Sequence, residues 1–271
     1  MSRPPAASEP VVTPAVVTPA TDASGAAFAG PPDAPAIVFL HGTRVTGSMW
    51  WAQQIALAGD YRTIAVDLPA HGTRSGEPFT LEAATDAVAA AIGEHAAGGR
   101  AVVVGLSLGG YVAMSLAARQ PELVRGLVLS GATAEPVGLR SKPYLRLAGV
   151  MDRVDRDRLV RVNAWFFRAR YPAAIAEPIV AGGFWSAGGA AALRAIVGER
   201  FIPRLAAYPG PTLILNGEFD LPFRLGARSF AAAAQDARRV RLAGASHLAN
   251  LDRPAAFTEA VRRFASSLER D

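Results

Sequence analysis

Short runs of uninterrupted apolar residues recur along the chain from Ala36 onward, separated by longer stretches with helical spacing. Ala36 to Leu40, Thr63 to Val66, Ala101 to Val104 and Leu127 to Ser130 are such runs, and Thr212 to Leu215 and Arg239 to Leu242 read as two further strands. A strand covered on one face alternates apolar and polar residues, whereas a continuous run means burial on both faces, as in a parallel sheet. Between these runs, Ser48 to Ala58, Leu81 to His95, Leu108 to Arg119, Leu225 to Ala234 and Ala255 to Leu268 read as helices, the third of them stopped by Pro121. Strands alternating with helices predict an α/β architecture with a doubly wound, mostly parallel sheet.

The alternation breaks between residues 133 and 207. That stretch holds no convincing strand; its helical segments are interrupted by Pro143, Pro172, Pro178, Pro203 and two Gly-Gly pairs, and it is rich in aromatics. A helical excursion before the last two strands predicts a cap over the carboxyl edge of the sheet, where open α/β sheets bind ligands. The core is then expected in 36–132 and 208–271. Residues 1–35, dense in Pro, Ala and Thr, predict an extended or disordered segment, with Val11-Val12 and Val16-Val17 as weak edge strands.

Composition narrows the class. The 271 residues are 51% hydrophobic, enough for one large core, and they include no cysteine, which excludes disulfides and thiolate metal sites. No run approaches the ~20 apolar residues of a membrane span. With no apolar leader after Pro4-Pro5, the expectation is a cytoplasmic protein without a membrane or nucleic-acid partner. Nothing sets the oligomeric state. The net charge is +5, and Lys142 is the only lysine. The basic excess gathers between Arg140 and Arg170. A solvated helix face explains it plainly; a positive field near a pocket, drawing an anionic substrate, is the sharper reading.

Candidate chemistry begins at Gly105-Leu106-Ser107-Leu108-Gly109, set between a predicted strand and a predicted helix. That context turns a G-x-S-x-G sequence into a nucleophile elbow, with the serine hydroxyl exposed on a strained turn and glycines where chain segments approach closely. A serine needs a base. His41 and His247 fall at the carboxyl edge, His71 lies in a Pro/Gly turn and His95 ends a helix; His247, after the last strand, is the best placed. Asp220, after the penultimate strand, is the expected carboxylate that orients it. Glu218 reads as turn scaffold, Glu135 as a secondary acid, and Asp67 as the residue stabilising the turn it begins. The backbone N–H groups of Leu108 and Thr43 are the expected oxyanion donors. Trp165, Phe166 and Trp185 are candidate pocket aromatics.

Taken together, His41-Gly42, Asp67 to Gly72, the Ser107 elbow, Gly217 to Asp220 and His247 followed by Pro254 resemble the α/β-hydrolase superfamily over about Ala36 to Leu268. The nearest subgroup is the capped esterase, enol-lactonase and cofactor-free haloperoxidase set, and His247-Leu248-Ala249-Asn250-Leu251 is similar to the histidine loop of the 3-oxoadipate enol-lactonase type. Three departures matter. Ala70 replaces a usual glycine, the N-terminal strands are proline-rich, and His41-Gly42-Thr43-Arg44 lacks the glycine run of the lipase oxyanion loop. Serine at 107 disfavours the dehalogenase and epoxide hydrolase branches, which use aspartate there.

The expectation is a serine hydrolase of a small ester or lactone, acting through an acyl-enzyme, with no metal and no cofactor. The alternatives are lyase or perhydrolase chemistry from the same residues, and a non-catalytic binding protein on the same scaffold.

Overall fold

The computed structural model describes residues 20–21 and 25–269. The valine pairs expected to seed edge strands lie outside the described residues. Among the described residues, eight strands form one sheet: β1 (Ala20–Thr21), β2 (Ala26–Ala29), β3 (Ala36–Leu40), β4 (Arg62–Val66), β5 (Ala101–Leu106), β6 (Val124–Ser130), β7 (Pro211–Gly217) and β8 (Asp236–Leu242). Their order is β1-β2-β4-β3-β5-β6-β7-β8. β1 and β2 add an antiparallel edge, with Ala26 opposite Val66, and every pairing from β4 to β8 is parallel.

The period-2 alternation of strand side chains builds two cores. Val38 and Leu40 of β3 join Val103 of β5 and Leu127 and Leu129 of β6 on one face, under α2 (Leu81–His95) and α3 (Leu108–Arg119). Ile37 and Phe39 join Val102, Val104 and Val128 on the other, under α1 (Trp51–Leu57), the short α10 (Ala249–Asp252) and α11 (Pro254–Leu268). Helices on both faces explain why these strands carry no polar alternation. Trp50, wholly buried at the start of α1, stacks on Phe39 with ring centroids 5.0 Å apart and tilts against Phe257 of α11 at 5.7 Å, tying the sheet to both helices. On the opposite face Thr80 caps α2, its hydroxyl accepting from the N–H of Ala83.

One strand departs from the expected burial. Arg238, Arg239, Val240 and Arg241 of β8 are exposed, because β8 closes the sheet with one side unpaired. Charged side chains on such an edge block pairing with another chain.

Five helices lie between β6 and β7: α4 (Lys142–Arg153), α5 (Arg156–Arg170), α6 (Ala173–Gly182), α7 (Ser186–Ile196) and α8 (Phe201–Ala207). α4 packs on α7 and α5 on α6. α8 behaves differently: it packs on α3 and on α9 (Leu221–Ala233), within the layer that covers the sheet. Phe201 of α8 is fully buried 4.5 Å from the ring of Tyr111.

Candidate active site

β5 delivers its chain straight into α3 through Ser107, whose φ of 54° and ψ of −115° lie where side chains other than glycine are strained. The strain is held from two sides. The Ser107 N–H donates to the carbonyl of Ser130 at 2.8 Å, extending the β5–β6 ladder by one bond. The turn is also too tight for side chains on either side of it. A Cβ on Gly105 would stand 2.4 Å from the Gly109 carbonyl, and one on Gly109 would stand 2.2 Å from the Leu40 carbonyl of β3.

His247 and Asp220 arrive from separate loops after β8 and β7, and the structure brings them together. His247 Nδ1 lies 3.0 Å from Asp220 Oδ2, with the carboxylate side chain 5% exposed and the imidazole 37% exposed. The Phe223 ring of α9 stacks on the imidazole at 4.9 Å. Gly131, at φ +57° immediately after β6, leaves room for the pair. Asn216 at the end of β7 accepts from the Gly131 N–H at 3.1 Å and donates to Thr133 at 3.2 Å, joining the two strand ends. The histidine loop is fastened from below by Asp252, which accepts from Ser246, Arg170 and Tyr171. Burial alone would raise the Asp252 pKa, but the donated hydrogen bonds, those of Ser246 first, outweigh it and hold the carboxyl below its ordinary value. Ser107 and His247 border one cavity; among the described residues the Ser107 hydroxyl has no hydrogen-bond partner.

Thr43 and Leu108 each present a backbone N–H without an acceptor among the described residues. Leu108 stands at the first position of α3, where helix N–H groups are left unpaired. Thr43 is positioned by two buried histidines. His41 Nδ1 faces the Gly42 carbonyl at 2.8 Å, while its Nε2 accepts from the Leu68 N–H at 3.0 Å. His71 repeats the pattern, Nδ1 toward the Pro69 carbonyl at 2.9 Å and Nε2 accepting from the Arg44 N–H at 3.3 Å. Only a neutral imidazole protonated at Nδ1 satisfies both contacts in each ring. Burial enforces this, lowering the pKa of His41 to about 4 and, helped by the neighbouring His41, that of His71 to about 3.

The cavity has a volume of about 310 Å³, at the small end for ligand pockets. The three candidate aromatics fall in different places around it. Phe166 borders it, but Trp165 is 70% exposed on the outer side of α5, and Trp185 lies against a separate depression with Thr46 and Asp67. Phe167 and Phe184 line the cavity in their place. On α5, Phe166 and Phe167 are neighbours of Trp165, and helical rotation decides which of the three faces inward. None of the arginines between 140 and 170 reaches the cavity; Arg168 pairs with Glu177 and Arg170 with Asp252 on the outside, the solvated helix face. The basic side chain on the cavity wall is Arg44, one residue beyond Thr43, which sequence reasoning passed over.

The remaining acids are occupied elsewhere. Glu135 accepts from the N–H groups of Phe201 and Ile202 at the start of α8, while the carboxylate in contact with His247 is Asp220. Asp67 accepts from Gly47 and Thr73, fastening the turn it opens. Glu218 accepts from Gly244 in the loop between β8 and His247.

A serine on a strained strand-to-helix turn and a His–Asp pair from later loops, at the carboxyl edge of a mostly parallel sheet, define an α/β-hydrolase arrangement. The profile of the alpha/beta hydrolase family matches residues 37–260, and the chain belongs to that family. Among solved structures it is similar to the enol-lactonase from Burkholderia xenovorans LB400, at TM-score 0.73 and 25% identity, covering 89% of this chain and 95% of that one. It is also similar to a thermophilic esterase from Thermogutta terrifontis, at TM-score 0.74 and 25% identity, covering 93% and 97%. Among curated proteins, a pimeloyl-[acyl-carrier protein] methyl ester esterase of Neisseria meningitidis is 40% identical over 114 residues, 41% of this chain and 43% of that protein. A pyrrolizixenacetamide deacetylase of Xenorhabdus hominickii is 33% identical over 132 residues, 47% and 49%. The matches thus span less than half the length of these curated relatives. No single helix among the described residues is long and apolar enough to cross a membrane.

Proposed function

We propose that the protein hydrolyses a small carboxylic ester or lactone through a covalent acyl-enzyme on Ser107. The observation that carries this reading is the 3.0 Å contact between His247 and Asp220 beside a cavity that also holds the strained serine. The esterase and lactonase names of the similar proteins support the reaction class.

In this reading His247 Nε2 takes the proton as Ser107 Oγ bonds to the carbonyl carbon. Asp220 holds Nδ1–H and stabilises the imidazolium. The oxyanion accepts from the N–H groups of Thr43 and Leu108, which need no reorganisation because nothing else claims them. Collapse breaks the bond to the leaving oxygen, which takes the proton from His247. Water, deprotonated by the same imidazole, then attacks the acyl-serine; the acid leaves and the serine regains its proton. Phe166 and Phe167 of α5 and Phe184 of the segment between α6 and α7 supply an apolar wall, and the small volume favours short substrates.

The test is Ser107→Ala assayed with p-nitrophenyl acetate, beside labelling of the unmodified protein by a fluorophosphonate. The expected result is loss of turnover in a folded variant and stoichiometric labelling at Ser107. Unchanged turnover in the variant would falsify the assignment.

A further inference from the structure

Arg44 occupies an unusual position for a cation. Its backbone sits at φ +72°, clamped by the N–H bond to His71 and by its carbonyl, which accepts from the Trp185 N–H at 2.7 Å. The side chain lies on the wall of the cavity that holds Ser107, and it is packed there by α7, where even a Cβ on Gly189 would meet Arg44 Cγ at 2.8 Å. Among the described residues no carboxylate pairs with it. Nη1 has a single neutral acceptor, Asn163 Oδ1 at 3.4 Å, and Nε is buried with none. Asn163 is itself held for this contact, since its amide donates to the Leu159 carbonyl at 2.7 Å, leaving the oxygen toward Arg44.

A guanidinium partly withdrawn from water without a counter-ion is costly, and the described residues offer none. Burial accordingly pulls the pKa of Arg44 below its ordinary value, although an arginine stays protonated. The rest of the cavity is mostly apolar, with Val45, Met49, Leu248 and Leu251 among its walls. One fixed positive charge in such surroundings matches one negative charge, and the planar fork of a guanidinium matches a carboxylate.

We propose that Arg44 is a specificity residue that binds a carboxylate carried by the substrate, so that the preferred substrates are short esters or lactones bearing one free carboxylate. This rests on the reading of Ser107 as the nucleophile. It moves the anion preference from the exposed arginines of α4 and α5 to one half-buried side chain beside the oxyanion donors.

The experiment compares monomethyl glutarate with methyl valerate, and 3-acetoxypropionate with propyl acetate, for the full chain and for Arg44→Gln and Arg44→Lys. These pairs place the carboxylate on the acyl and on the alcohol side. In the unmodified protein kcat/KM is expected to favour the charged member of at least one pair. In Arg44→Gln that preference should fall by about 10- to 100-fold, the loss expected for a hydrogen bond to a charged group. Arg44→Lys should restore part of it. Separately, glutarate should slow fluorophosphonate labelling of the unmodified protein while the neutral glutaramide does not, a result that holds even where a variant fails to fold. Equal rates within both pairs, or a charge preference unchanged in Arg44→Gln, or equal effects of glutarate and glutaramide, would each overturn the proposal. Absence of labelling at Ser107 would instead overturn the hydrolase reading beneath it.

Discussion

The Cβ that Gly131 lacks would stand 2.7 Å from Cε1 and 2.8 Å from Nδ1 of His247, and 3.2 Å from Asp220 Oδ2. The imidazole and its carboxylate therefore occupy space that any other residue at 131 would claim. Gly131→Ala should displace the ring. A misplacement of about 1 Å can cost on the order of 100-fold in rate. The positive φ adds about 1–2 kcal/mol against alanine. We expect kcat to fall by about 100-fold with a lower melting temperature, read by steady-state kinetics and thermal unfolding on the same sample. Full activity would mean that the ring is not confined from this side.

Asp220→Asn tests the partner of the imidazole. The substitution keeps shape and burial but removes the charge and the acceptor that fixes the Nδ1–H tautomer. Turnover should drop by about 10⁴-fold, with the folded structure retained. Glu135→Gln serves as the contrast, because that carboxylate caps α8. It should alter stability by about 1 kcal/mol and leave the rate per folded molecule close to that of the unmodified protein.

The buried histidines predict acid sensitivity. The folded-state pKa values of His41 and His71, about 4 and about 3, lie below the model-peptide value of 6.5. Between those limits the unfolded chain binds more protons, so stability falls as pH drops. Above 6.5 neither group contributes a slope; below it the loss grows until the folded rings themselves titrate. For His41 alone the full excursion amounts to about 3 kcal/mol, at 1.36 kcal/mol per unit. Urea unfolding midpoints at pH 7, 6, 5 and 4 measure it. His41→Gln should flatten the profile relative to its own value at pH 7, and an unchanged slope would show that the loss arises elsewhere.

Trp50 joins β3, α1 and α11, and its indole Nε1 is buried with no acceptor among the described residues. Trp50→Ala should cost about 3–5 kcal/mol as a cavity opens. Trp50→Phe removes the unpaired donor along with the extra ring, and relief of that donor, worth about 1–3 kcal/mol, offsets part of the lost packing. The phenylalanine variant should therefore unfold much closer to the parent than volume alone suggests, as chemical denaturation of the pair would show.

Much of the sheet was legible because parallel strands buried on both faces leave runs such as Ala36 to Leu40 that nothing else in the chain resembles. The helices at Leu81–His95 and Leu108–Arg119 were readable end to end, since their apolar spacing is helical throughout, the elbow serine precedes the second and Pro121 closes it. β2 was not, because Ala26-Ala27-Phe28-Ala29 lacks β-branched residues and is ordered by its partner β4 rather than by propensity. At the site, the serine, the acid and the histidine stood at strand ends, where loop position carries the signal. Phe167, Phe184 and Phe223 did not, because the facing of a helical or loop aromatic depends on packing that spacing alone leaves open. Arg44 had a quieter signal, a charge one residue beyond an expected oxyanion donor. Gly131 had another, a glycine at the very end of a buried strand.

Asp252 grips Ser246, the neighbour of His247, with one oxygen and Arg170 and Tyr171, at the end of α5, with the other. The helix over the cavity and the loop that carries His247 thus share one fastening. A displacement of α5 would therefore load or break the same hydrogen bonds that hold the histidine loop.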